Sequence, residues 1–121
     1  MAGRGASVAM DTGLREAVFS RDRHCVKCGK PLREPVAVHH RKLRKHGGPD
    51  HISNLIALCS PCHNIAPGSV HQNPKISYEN GWLCPSWADP AEWPVTLPNG
   101  DRVLLTAEGT YQIVGEANNG W

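Results

Sequence analysis

Four of the five cysteines fall into two Cys-x-x-Cys pairs, Cys25/Cys28 and Cys59/Cys62, with 30 residues between Cys28 and Cys59. No other feature restricts the fold as much. Two residues between cysteines let one turn present both sulfurs to the same ion, and zinc favours four tetrahedral ligands. The pairs therefore predict a closed structural zinc site. Gly29 permits the tight turn that the first pair requires. A staple of this kind answers a need. The chain has 121 residues, 40% apolar and 6% aromatic, with 10 prolines and 12 glycines, which is thin material for a hydrophobic core. A four-sulfur site has no open coordination position, so hydrolytic chemistry would have to come from elsewhere in the chain. Cys84, the cysteine left over, reads as a buried or half-exposed free thiol.

No apolar stretch approaches the roughly 20 residues a membrane helix needs. The run Ser7-Val8-Ala9-Met10 is too brief for a signal-peptide core. The expectation is a cytoplasmic protein with no membrane partner, in which paired cysteines hold metal rather than disulfides. Residues 1–11 are expected to form a flexible tail. Thr12 to Arg21 supports a short helix, with Leu14 and Val18 four apart on one face. Pro35 to His40 reads as a strand ending in two histidines, Gly47-Gly48-Pro49-Asp50 as a loop, and Asn54 to Leu58 as a second apolar segment. Ser60 and Pro61 resemble the N-cap and first position of a helix that carries Cys62 and His63 and stops at Pro67-Gly68. All four tryptophans and both tyrosines lie beyond residue 76, where the turns Asn99-Gly100 and Glu108-Gly109 separate short apolar runs into a β meander. The fold class is α+β. Residues 12–76 form the stapled domain and residues 77–121 a C-terminal β extension packed on it.

The net charge of +2 conceals an asymmetry. Residues 1–46 hold 11 of the 13 Lys/Arg against four acids, whereas residues 47–121 hold two against seven. A basic half points to a polyanionic partner. Arg41, Lys42, Arg44 and Lys45 follow the two histidines and are the candidate phosphate contacts.

Several pieces now stand in order: the first Cys-x-x-Cys; Val38-His39-His40; the Gly47-Gly48 turn; Asn54-Leu55; and Cys59-Ser60-Pro61-Cys62-His63. Together they resemble the four-cysteine branch of the HNH endonuclease family, over about residues 14–64. The tail, with Gly81-Trp82-Leu83 and Trp87-Ala88-Asp89-Pro90, is similar to that of small HNH proteins encoded by actinobacteria and their phages. The resemblance implies a ββα-metal (His-Me finger) core and metal-dependent hydrolysis of phosphodiester bonds in DNA. It assigns His40 as general base, His39 and His63 as ligands of a catalytic divalent ion, Asn54 as the residue tethering the hairpin loop, and Cys25, Cys28, Cys59 and Cys62 as ligands of structural Zn2+.

The chemistry agrees with that assignment. Neighbouring side chains on a strand point to opposite faces, so one of two adjacent histidines can hold a metal while the other addresses a water. A neutral imidazole, with an ordinary pKa near 6.5, accepts a proton at neutral pH. Two departures from the family pattern stand out. The position one helical turn after His63 is Pro67, which cannot be a ligand, and the Val70-His71-Gln72-Asn73-Pro74 segment comes about four residues late. On a continuous helix His71 would lie roughly 12 Å along the axis. If Pro67-Gly68 breaks the helix, His71 can fold back and serve. The other departure is His39 where Asp is frequent. A nitrogen-rich set suits Zn2+, Ni2+ or Mn2+ better than Mg2+.

His24 and His46 read as surface residues, and His51 lies beside the loop. Few side chains suit base readout, so weak sequence specificity is expected. The alternatives are a non-catalytic zinc module that binds nucleic acid, or an accessory subunit of a phage DNA-packaging machine whose Trp-rich C-terminal region docks a protein partner.

Overall fold

The computed structural model describes residues 11–34 and 36–116. The expected tail falls almost wholly outside them, as do Pro35 of the first strand and Trp121. Helix α1 spans Thr12–Asp22, and its N-cap is Asp11, whose carboxylate accepts from Gly13 N and Leu14 N. Strands β1 (Val36–His40) and β2 (Leu55–Cys59) pair antiparallel, with His39 opposite Ile56 and His40 opposite Leu55. A single turn of π-helix, Pro61–Ile65, follows, and then the short helix α2, Pro74–Glu79. Strands β3 (Val95–Thr96), β4 (Arg102–Leu105) and β5 (Tyr111–Gly115) form a separate three-stranded antiparallel sheet. Among the described residues no helix is long and apolar enough to cross a membrane.

Because side chains alternate along a strand, the β1–β2 ribbon has two faces, and both are used. Leu55 and Ala57 pack with Val18 of α1, joined by Val38, Leu14 and Phe19. Ile56 and Leu58 belong to the other core, with Cys25, Val70, Trp82, Val95, Val103 and Leu105. The C-terminal sheet thus shares one core with the Cys-x-x-Cys region. Trp82 seals it and donates from Nε1 to Thr96 O at 3.1 Å. Asp22 ties the layers together. It accepts from Ala57 N at 2.8 Å, from Arg21 Nε at 2.7 Å, and from the Tyr111 hydroxyl at 2.5 Å.

Two glycines hold places where a side chain would collide. A Cβ on Gly48 would stand 1.7 Å from Lys42 O, so the β1–β2 loop can close only over a hydrogen there. Gly81 combines φ +74° with a Cβ position 1.8 Å from Pro94 O.

The helix expected at Ser60 is shorter and different in kind. Ser60 itself has helical φ/ψ and makes no side-chain cap hydrogen bond, and the turn ends at Ala66 in extended conformation. Pro67 explains the stop, because the residue before a proline is pushed out of the helical region.

Candidate functional site

The Cys25–Cys28 turn, the end of β2 and the π-helical turn bring four sulfurs together. One ligand atom from each of Cys25, Cys28, Cys59 and Cys62 lies within 4.8 Å of the others, with the Sγ atoms of Cys28 and Cys59 3.8 Å apart. Tetrahedral zinc with bonds of about 2.3 Å requires sulfur–sulfur edges of about 3.8 Å. Burial and the neighbouring thiols push the Cys62 thiol well above its ordinary pKa. Four thiolates at this spacing need a cation between them, and a tetrahedral zinc ion fits the donors present.

A second cluster is built of imidazoles. His39 is the fourth residue of β1, His63 lies in the π-helical turn, and His71 follows the break at Pro67-Gly68. The chain turns back after that break. Val70 N donates to Cys62 O at 2.7 Å and His71 N to His63 O at 3.2 Å, while the fully buried Val70 anchors the return. One ring nitrogen of each histidine lies within 4.8 Å of the others, and the Nε2 atoms of His63 and His71 are 3.1 Å apart. A tetrahedral ion with nitrogen bonds of about 2.0–2.1 Å needs edges of about 3.3 Å.

The protonation states favour lone pairs. His39 is 2% exposed, and burial pushes its pKa down to about 3, reinforced by repulsion from His63 and His71. Burial lowers the pKa of His63 and of His71 in the same way. His39 Nε2 lies 2.7 Å from Trp82 O. A carbonyl only accepts, so Nε2 carries the proton and Nδ1 keeps the lone pair. That fixes both the tautomer and the ring's orientation.

His40 lines the same pocket, of about 270 Å³, together with His39, His63, His71, Leu43 and Arg44. Its Nε2 is 2.6 Å from Asp50 Oδ1, and a carboxylate likewise accepts, so in the neutral ring Nδ1 is the acceptor. The hydrogen bond from His40 holds the Asp50 carboxyl below its ordinary pKa, with help from Arg44, whose Nη2 lies 3.4 Å from Asp50 Oδ1. The role of Asp50 is missing from the sequence reading, in which the residue is only part of a loop signal. Its one sequence cue is a place between Pro49 and His51, ten residues after His40.

Asn54 is fully buried and spans the loop between the strands. Its Oδ1 accepts from Lys42 N at 2.8 Å, and its Nδ2 donates to Lys42 O at 3.0 Å and Pro49 O at 3.1 Å. One amide therefore ties down both ends of the segment that carries the basic residues. His51 caps the neighbouring turn, its Nδ1 accepting from Ser53 N at 3.2 Å. His24 and His46 are exposed, as expected.

The basic run divides. Arg44 and Lys45 are exposed on the short turn Arg44–His46, and Lys42, half-buried, donates from Nζ to Ala88 O at 3.2 Å. Arg41, expected among the phosphate contacts, lies in the interior at 0% exposure. Its guanidinium donates to Gly81 O at 2.7 Å, Ser53 O at 3.1 Å, Pro90 O at 3.0 Å and, more closely still, Trp93 O. Four hydrogen bonds to carbonyls and full burial make the group a joint between the β1–β2 loop and the C-terminal segment, out of reach of a phosphate. Arg41 follows His40 directly, and the alternation that turns one side chain out turns the next one in.

Residues 25–66 match the family model of the HNH endonucleases. This segment, 42 of the 121 residues, is similar to the HNH endonuclease domain. The match begins at the first cysteine and ends just past the π-helical turn, so it contains the four cysteines, His39, His40, Asp50, Asn54 and His63. His71 and the tryptophan-bearing segment lie beyond it. No curated protein and no solved structure gives a significant match to the chain. The match associates residues 25–66 with endonucleases, and each of the two clusters could hold a metal ion.

Proposed function

We propose that the protein is a DNA endonuclease that hydrolyses phosphodiester bonds with one catalytic divalent ion, and that the zinc held by the four cysteines serves only to hold the fold. The observation that carries this reading is the meeting of His39, His63 and His71 beside His40 in one pocket. A random trio of histidines would not converge from a strand, a helical turn and a returning loop with all three rings held neutral. The hairpin followed by a helical turn supports a ββα-metal core.

His39, His63 and His71 would hold the ion. Their imidazole nitrogens fit Zn2+, Ni2+ or Mn2+ better than Mg2+. When bound, the ion supplies Lewis-acid stabilisation of charge on the phosphate and on the departing 3′ oxygen. The remaining work belongs to the chain. His40 accepts a proton from the attacking water at Nδ1, and Asp50 keeps the ring in the required tautomer by accepting from Nε2. Asn54 holds the loop so that base and ligands keep their spacing. Lys42, Arg44 and Lys45 attract the phosphodiester backbone without reading bases, which predicts weak sequence preference.

Purified protein incubated with supercoiled plasmid and Mg2+, Mn2+, Ni2+ or Zn2+ tests the reading. Wild type should nick or linearise the plasmid, most rapidly with a nitrogen-preferring metal, and His40→Ala should not. Retained DNA binding without cutting under all four metals would make this a non-catalytic HNH module instead.

A further inference from the structure

Trp87 is the most exposed large apolar side chain among the described residues, at 78%. Its ring meets Trp93 edge to face, with centroids 5.5 Å apart and planes at 90°, so its position is set while one side stays open to solvent. It forms a wall of a cleft of about 370 Å³ with His46, Tyr78, Pro85 and Ser86. That volume is at the lower end of the roughly 300–1,000 Å³ that small ligands occupy. His46 closes the basic turn Arg44–His46, and Arg44 at its start lines the imidazole pocket. The bond from Lys42 to Ala88 O ties the Trp87 loop to the same segment. The aromatic cleft and the imidazole pocket are two ends of one basic ribbon.

The chemistry of the cleft favours one kind of occupant. A protein partner would meet a broad apolar patch, whereas here the indole shares a cleft with Tyr78, Pro85, Ser86 and His46, and His46 ends the basic turn that also carries Arg44 and Lys45. The acid of the Trp87 loop, Asp89, is engaged in capping Ala91 N at 2.9 Å. A flat π-system attached to a phosphate chain fits both parts. In continuous duplex each base is already stacked on both faces, so only an unpaired base gains from an open indole.

We propose that the Trp87 cleft stacks an unpaired base of the strand whose phosphate enters the imidazole pocket. The preferred substrate is then single-stranded, gapped or frayed DNA rather than intact duplex. The inference rests on the nuclease reading for which phosphate is cut, but the stacking itself does not depend on cleavage.

Fluorescence anisotropy of full-length, zinc-loaded His40→Ala protein with a short labelled oligonucleotide, single-stranded or as a blunt duplex, tests it. Single strand should bind at least about fivefold tighter than duplex. Adding Trp87→Ala should weaken single-strand binding about fivefold or more and leave duplex binding unchanged, while Trp87→Phe retains it. The Trp87→Ala effect should persist at high salt, where the effect of Lys45→Ala shrinks. Equal affinity for both forms, an equal loss on both, or no loss with Trp87→Ala overturns the proposal. If wild type fails to cut plasmid while Trp87-dependent single-strand binding persists, the nuclease reading fails and this one stands.

Discussion

Two hydrogen bonds from ring Nε2 atoms give the adjacent histidines different chemistry. His39 donates to Trp82 O, a neutral carbonyl in the interior, and His40 to Asp50, a carboxylate at the surface. Both bonds leave Nδ1 with a lone pair, one suited to an ion and the other to a proton from water. Removing the carboxylate should therefore harm chemistry rather than folding. Asp50→Ala is expected to lower kcat for plasmid cleavage by about 10–100-fold, with the melting temperature little changed. Asp50→Asn, whose amide oxygen still accepts, should recover much of the loss; equal defects in the two variants would contradict a positioning role. Arg41 predicts the opposite pattern. Its pKa is pushed down to about 10 by burial, so it remains charged at neutral pH in a site of carbonyls. Arg41→Met should cost about 3–5 kcal/mol in urea unfolding, because four carbonyls lose a donor, three of them in buried hydrogen bonds. A loss of DNA affinity without loss of stability would return Arg41 to the surface role expected from its sequence neighbours.

The π-helical turn Pro61–Ile65 and the segment after it form one working element. A longer helix would carry residue 71 away from residue 63. Proline at 67 ends the helix, and the burial of Val70 draws the following residue back over the turn. The late placement of the Val-His-x-Asn-Pro segment is thus absorbed by a loop rather than by lost geometry. His71→Ala is expected to weaken binding of the second metal by at least the roughly 10–100-fold that loss of an outer partner costs, while one tightly held zinc per chain remains. Metal titration followed by mass spectrometry reads both. Loss of both ions together would mean that the clusters are not independent.

For the molecule as a whole, stability and ligand readiness share one dependence on pH. His39 is kept neutral by burial, with a pKa of about 3 against an ordinary value near 6.5 in an unfolded chain. Between those values the unfolded state binds a proton that the folded state refuses. The stability this contributes is complete above about pH 6.5 and is lost as pH falls toward 3. His63 and His71 shift in the same direction, and protons compete with metal at all three rings. The melting temperature should fall steadily from neutral pH to pH 4, most steeply once the first of these groups titrates. A flat profile would show that the rings are not held neutral together. The shared core of Ile56, Leu58, Trp82 and Val103 makes the C-terminal sheet part of this same unit.

Local signals are enough to place the two Cys-x-x-Cys pairs, the strand ending in His39-His40, the stop at Pro67 and the turns of the meander, because spacing, alternation and turn chemistry act over a few residues. The loop-spanning asparagine is named only through the family resemblance. Its three bonds reach Pro49, five residues away, and Lys42, twelve residues away across the loop. The same holds for Asp50 against His40, for the Trp82 carbonyl behind His39, and for the turning inward of Arg41. These depend on which loop lies across which strand, and that is settled by long-range packing of the C-terminal sheet on the hairpin. A histidine, an acid or an arginine looks the same in a sequence whether it faces water, an ion or a carbonyl. Only the folded chain chooses among them.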